Sequence, residues 1–217
     1  MMLLPLFPLH TVLFPGTPLS LHIFEDRYKR MIGEALRGRK PFGVVLIKQG
    51  VEAHGPLADP HQVGCTAEIT CVEPTGEGRF FLQAIGRERF RIQQLDRSAA
   101  YLQADIETTP LPQPAGPRCA SVSQRLRPAV RSYLRLLTQA SDLKLDVEEL
   151  PTDPLALAYV SASLLDIPLA EKQILLETDD AGMLLSQLHQ LYRRELGIYR
   201  LMAARAKPAG EDTVHLN

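Results

Sequence analysis

Cys65, Cys71, His54 and His61 are the residues whose types could hold a metal ion, and a zinc site would need them in close, regular pairs. Their spacing matches no such pattern. The two cysteines are the ends of an alternating run, CTAEITC, which reads as a strand turning both thiols toward a core, where a free cysteine behaves as a small hydrophobe. No metal is expected. Cys119 has no histidine near it in sequence and reads as incidental rather than as a nucleophile. Serine hydrolysis of the α/β type would need a G-x-S-x-G elbow, which is absent. No Gly-Lys dipeptide is available for a phosphate loop, and GEGR at Gly76 belongs to a hairpin rather than to a dinucleotide fingerprint, so no nucleotide cofactor is expected. An enzyme using His22 or His61 has only residue type in its favour. The Asp179–Asp180 pair suits the first turn of a helix, and Glu148 and Glu149 a solvated loop or helix start.

Two arginine rows could bind phosphate: Arg87, Arg89 and Arg91 alternate along a strand, and Arg127, Arg131 and Arg135 recur along a helix. No aromatic residue stands among them on the same face to stack bases, and the chain carries 24 basic against 25 acidic residues, so nucleic acid is the disfavoured partner.

These residues sit on elements of two kinds. Up to about Thr109 the apolar period is two, as in Cys65/Ala67/Ile69/Cys71 and Phe80/Leu82/Ala84. PFGVVLIKQG (41–50) is a short apolar run expected to be buried on both faces, EPTGEGR (73–79) a hairpin turn, and Tyr101–Glu107 the last strand. One helix is expected from Glu25 to about Arg37, ended by Gly38 in the left-handed conformation. About six strands with frequent turns predict a small curled sheet or partly closed barrel with this helix against one open end.

TPLPQPAGPR (109–118) cannot extend a sheet and reads as a stiff linker between domains at 1–108 and 119–206. Beyond it the period becomes 3.6. Val122, Leu126, Val130, Tyr133, Leu134 and Leu137 form one stripe of a helix that Pro128 should kink or split. Asp153 is placed to cap a second helix with Pro154 in its first turn, PLAEKQILLE makes a third, and Thr178 is expected to cap a fourth with Leu184, Leu188, Leu191, Tyr192 and Met202 on its buried stripe. Four such helices make a compact bundle, followed by a frayed tail at 207–217. The fold class is α+β.

Three cysteines do not make a disulfide framework and point to a reducing compartment. The apolar start has no basic n-region and is broken by Pro5, Pro8 and Pro15, which reads against an export signal. No apolar run approaches the roughly 20 residues that span a bilayer, so no membrane partner is expected and the location is read as cytoplasmic.

LPLFPLHTVLFPGTPLSLHIFEDRYKRM (4–31), VGCTAEI (63–69), GRFFLQAIGRERFRI (78–92) and TDPLALAYVSASLLDIPLAEKQILLE (152–177) resemble, in order and spacing, the amino-terminal region of Lon-family ATP-dependent proteases over residues 2–200. The resemblance implies a PUA-like pseudo-barrel of about six strands followed by a helical bundle, with Phe24 and Tyr28 anchoring the first helix. It implies no catalysis, because the ATPase and Ser-Lys peptidase modules of those proteases have no counterpart in this sequence. What it carries over is recognition: a stand-alone protein of quality control or proteolysis that binds unfolded or exposed hydrophobic polypeptide segments and works with a protease or chaperone. Leu13, Phe14, Tyr28 and Met31 are its candidate binding residues, in an apolar groove between barrel and bundle. The alternative is a PUA-like RNA-binding protein using Arg87, Arg89 and Arg91.

Overall fold

A computed structural model describes residues 3–52, 57–76, 78–140 and 150–206. His54, Glu148, Glu149 and the segment 207–217 lie outside the described residues. The amino-terminal part holds β1 (Leu3–Leu9), β2 (Pro18–Ile23), α1 (Asp26–Gly38), β3 (Phe42–Gln49), β4 (Asp59–Pro60), β5 (Val63–Gly76), β6 (Arg79–Asp96) and β7 (Gln103–Thr108).

The strands close on themselves. β1 pairs with β7 on one side and, in parallel, with β3 on the other, while β7, β6, β5 and β3 pair in that order, so five strands form a ring. β2 stands outside the ring and pairs with the first part of β6, from Pro18 opposite Ile85 to Ile23 opposite Phe80. The expected short strands at Phe80–Ala84 and Phe90–Ile92 are one 18-residue strand, β6, whose pairing with β5 is broken by bulges that let it bend around the ring. Gly76 pairs with Arg79, so β5 and β6 are the two arms of the hairpin that EPTGEGR predicts.

Alternation sends side chains to two cores on opposite faces of these strands. Leu4, Leu6, Val45, Phe90, Leu102 and Ala104 fill one, and Phe7, Leu9, Ile23, Phe42, Val44, Cys65, Leu82 and Ala84 fill the other beneath α1. Residues 42–47 of β3 are all buried, as an apolar run covered on both faces requires. Tyr28, Met31, Ile32 and Ala35 form the buried stripe of α1, and the Tyr28 ring stacks on Phe7 at 4.0 Å. Phe24 is not a second anchor, since it is 40% exposed. The left-handed residue after α1 is Arg39 (φ 48°) rather than Gly38, which is the last helical residue; its amide donates to Leu36 O, and that of Lys40 to Ala35 O.

Four helices follow: α2 (Pro117–Ala140), α3 (Pro154–Leu164), α4 (Leu169–Glu177) and α5 (Ala181–Ala206). Pro128 lies within α2 without splitting it. Asp153 caps α3 as expected, its carboxylate accepting from the Ala156 amide at 2.7 Å. Thr178 does not cap α5: it closes α4, and Asp180 accepts from the Met183 amide at the start of α5. Leu184, Leu188 and Tyr192 are buried and Leu191 half-buried, but Met202 is 62% exposed, off the stripe that Leu196 continues. Val12, Phe14, Leu46 and Val63 of the amino-terminal part belong to the same continuous core as the helices.

Cys65, Cys71 and Cys119 are free thiols. Burial pushes the Cys65 thiol up to about 12, whereas Cys71 and Cys119 are only half-buried. A thiol reagent applied to the native protein is therefore expected to titrate two cysteines quickly and the third only on unfolding. Fast reaction of all three would show that the strand face carrying Cys65 opens readily.

Candidate functional site

The four apolar residues singled out as binding candidates are core residues. Leu13, Phe14, Tyr28 and Met31 are 4%, 0%, 5% and 0% exposed. Pro15 and Gly16 bend the chain so that Phe14 O lies against Gly86, where an added Cβ would sit 2.3 Å from it, and this drives the Phe14 ring toward Tyr159 of α3 at 6.4 Å. Burial raises the Tyr28 and Tyr159 hydroxyls to about 12 each, as expected of phenols with little water around them. Leu13, Phe14 and Met31 are thus withdrawn into the scaffold, while Tyr28, though buried, keeps one side toward a small cavity beside β2.

Arg87, Arg89 and Arg91 do alternate on one face of β6, but that face is covered at its middle. Arg89 is 1% exposed and donates to Thr178 O at 2.8 Å and to the Asp179 carboxylate. Arg87 pairs with Glu68 at 2.7 Å, and Arg91 approaches Asp179 at 3.5 Å. The row is a joint between barrel and bundle, not an open phosphate stripe. Gln173 of α4 adds to the joint by donating to Val63 O at 3.0 Å, and His61 lies 3.4 Å from Glu177.

Cavities open at the junction. One, of about 440 Å³, is polar and bounded by Lys48, His61, Arg91, Gln93 and Glu177; another, of about 280 Å³, is bounded by Pro15, Leu111, Leu155 and Tyr159. A trough of about 740 Å³ runs between the first turns of α2 and α5, past Cys119, Val122 and Met183.

A different surface combines main-chain and apolar recognition. Among the described residues β2 pairs with a strand on one side only, so its other edge presents backbone groups. Beside it opens a cavity of about 200 Å³ lined mainly by apolar side chains, Phe7, Leu9, Leu21, Ile23 and Tyr28 among them, with Glu25 and Glu52 also on its wall. Phe24 and Phe81, 40% and 50% exposed, flank His22, whose ring lies 6.0 Å from the first and 5.0 Å from the second. Natural edge strands are usually blunted with charge, yet β2 reads PLSLHI. The signal in the sequence was the doubled aromatic Phe80–Phe81, in which period two must turn one ring outward.

Among the described residues no group of three His, Cys, Asp or Glu side chains could hold a metal ion, and no helix is long and apolar enough to cross a membrane.

The class of fold is therefore a ring of strands with one helix across it, joined to a helical bundle and presenting, among the described residues, the open edge of β2 beside apolar side chains. Residues 3–194 match the model of the ATP-dependent protease La (LON) substrate-binding domain, and the chain belongs to that family. It is 28% identical over 200 residues to Lon protease 2 of Myxococcus xanthus, a match covering 91% of this chain but only 24% of the protease. The crystal structure of a Lon N-terminal domain protein from Xanthomonas campestris superimposes with a TM-score of 0.64 at 27% identity, covering 87% of this chain and 97% of that one. The N-terminal domain of the Mycobacterium avium complex Lon protease shares the fold, with a TM-score of 0.68 at 20% identity over 88% and 98% of the two chains.

Proposed function

We propose that this chain is a non-catalytic recognition module that binds polypeptide segments in extended form along the open edge of β2. The observation that carries the reading is the coincidence of that edge with the mainly apolar cavity and the exposed Phe24 and Phe81. An extended segment would satisfy the edge by main-chain hydrogen bonds, which are indifferent to sequence, while one apolar side chain enters the cavity. Exposed backbone next to exposed apolar side chains distinguishes an unfolded chain from a folded one. The family to which the chain belongs, described as substrate-binding, supports polypeptide as the ligand class. Three free thiols support a reducing, cytoplasmic setting, and a role beside a protease or chaperone in quality control follows from the same reading.

The test is fluorescence anisotropy of a labelled, permanently unfolded, charge-neutral polypeptide at low and high salt. Saturable binding that persists at high salt is expected, with a loss of about tenfold when Phe24 and Phe81 are both replaced by aspartate. No binding at tens of micromolar protein, or equal binding by the double variant, would overturn the β2 site. RNA binding through Arg87 and Arg91 would instead weaken steeply with salt.

A further inference from the structure

The near-zero net charge conceals a strong segregation. α2 and α5 together carry nine arginines and a single acidic residue, Glu195, while the rest of the chain carries 15 basic and 24 acidic residues. The two helices pack in parallel: Cys119 lies against Gly182 and the Tyr133 ring against Tyr192 and Tyr199, so their outer surfaces adjoin along their length.

Arg125 of α2 and Arg193 of α5 both act on His189 of α5, whose pKa is lowered by burial and by these two guanidinium groups. Arg200 follows Arg193 two helical turns further along α5, and Arg131 and Arg135 occupy the outer face of α2 one turn apart. Arg125, Arg131, Arg135, Arg193 and Arg200 are all exposed. Among the described residues none of the five has a carboxylate partner; Arg125 donates to Ser121 O at 3.3 Å. Other guanidinium groups are engaged, as in Arg87–Glu68, Arg97–Asp59, Arg194–Glu171 and the Arg127 bonds to Leu150 O and Thr152 O.

We infer that the α2/α5 face is a second docking surface, taking an acidic polypeptide segment rich in Asp and Glu. All of its cations are arginines, whose planar forks match carboxylates two bonds at a time. Two classes of polyanion fit a basic surface, and the geometry separates them. Single-stranded nucleic acid needs exposed rings for stacking, whereas Tyr133, Tyr192 and Tyr199 of these helices pack inward against one another and His189 is half-buried. A duplex extending past the two helices would meet the acidic excess of the remaining chain, whereas a short acidic segment is confined to the basic face. The surface lies on the bundle and its ligand is charged, so the inference stands apart from the apolar site at β2.

A fluorescein-labelled Glu-rich peptide titrated with the full chain is expected to bind saturably at low salt and to weaken by about tenfold or more at high salt. A triple variant, R125Q with R193Q and R200Q, is expected to lose at least about tenfold in affinity while keeping the wild-type melting curve and its binding of the charge-neutral unfolded probe. R131Q with R135Q gives a second, independent loss. Unchanged affinity in both variants, absence of saturable binding, or tighter binding of an oligonucleotide of equal charge would overturn the assignment.

Discussion

Replacing Arg89 with methionine is expected to lower stability by about 3 kcal/mol, which for a chain of this size is a fall in melting temperature of roughly 6–12 °C. The guanidinium is 1% exposed and reaches across from β6 to Thr178 O and Asp179, where α4 gives way to α5. Methionine fills much of the volume but leaves the Thr178 carbonyl without its donor. The Asp179 side chain is 70% exposed, so water can solvate it once the pair is broken and its share of the loss is small. D179N is accordingly expected to cost under about 1 kcal/mol. Calorimetric melts of both variants decide the matter: equal losses would move the stability of the joint from the buried carbonyl bond to the ion pair.

Gly64→Ala should be more damaging, at roughly 4 kcal/mol or more. Its added Cβ would lie 2.4 Å from Val44 O, 2.7 Å from the Phe90 ring and 2.7 Å from Val45. A flexible side chain could move aside, but Val44 O belongs to the β3 backbone, and β3 is held between β1 and β5 in the ring. Gly197→Ala in α5 is the control, because nothing lies within 4 Å of the added atom; there alanine should stabilise by about 0.5–1 kcal/mol through helix propensity. Urea unfolding of the two variants measures both effects. A Gly64→Ala protein within about 1 kcal/mol of the parent would mean that the ring relaxes far more than a closed set of strands should.

Much of the amino-terminal part was legible because a strand buried on one face must alternate. Cys65, Ala67, Leu82 and Ala84 are core residues at the parity that the sequence predicts, and residues 42–47 are buried on both faces. Cap chemistry is equally local: Asp153 and Pro154 start α3 with residues that only a helix beginning needs. Local rules failed where two candidates lay close together. Gly38 and Arg39 both follow the last apolar residue of α1, and Thr178 and Asp180 both precede α5; which one took the cap was set by how the chain had to leave the helix.

The candidate sites were less legible, because exposure is a property of the assembled fold. Leu13, Phe14, Tyr28 and Met31 have the composition of a binding patch, and only the closure of the ring and the docking of α1 and α3 show that they are interior. Arg89 reads from sequence as one of three equivalent arginines; the Thr178–Asp179 corner, 89 and 90 residues away, makes it a buried joint and leaves Arg87 and Arg91 outside.

By itself, then, the order of residues determined the periods, the turns, the caps and the family resemblance, since each depends on neighbours within a few positions or on an ordered set of motifs. Tertiary structure decided which apolar and charged side chains remain available to a partner. β2 is an edge because the ring closes through β1 and β3 without it, and the α2/α5 face gathers basic charge because helices separated by 40 residues of sequence pack side by side. Neither fact is local, and burial and charge accumulation depend on contacts between distant segments.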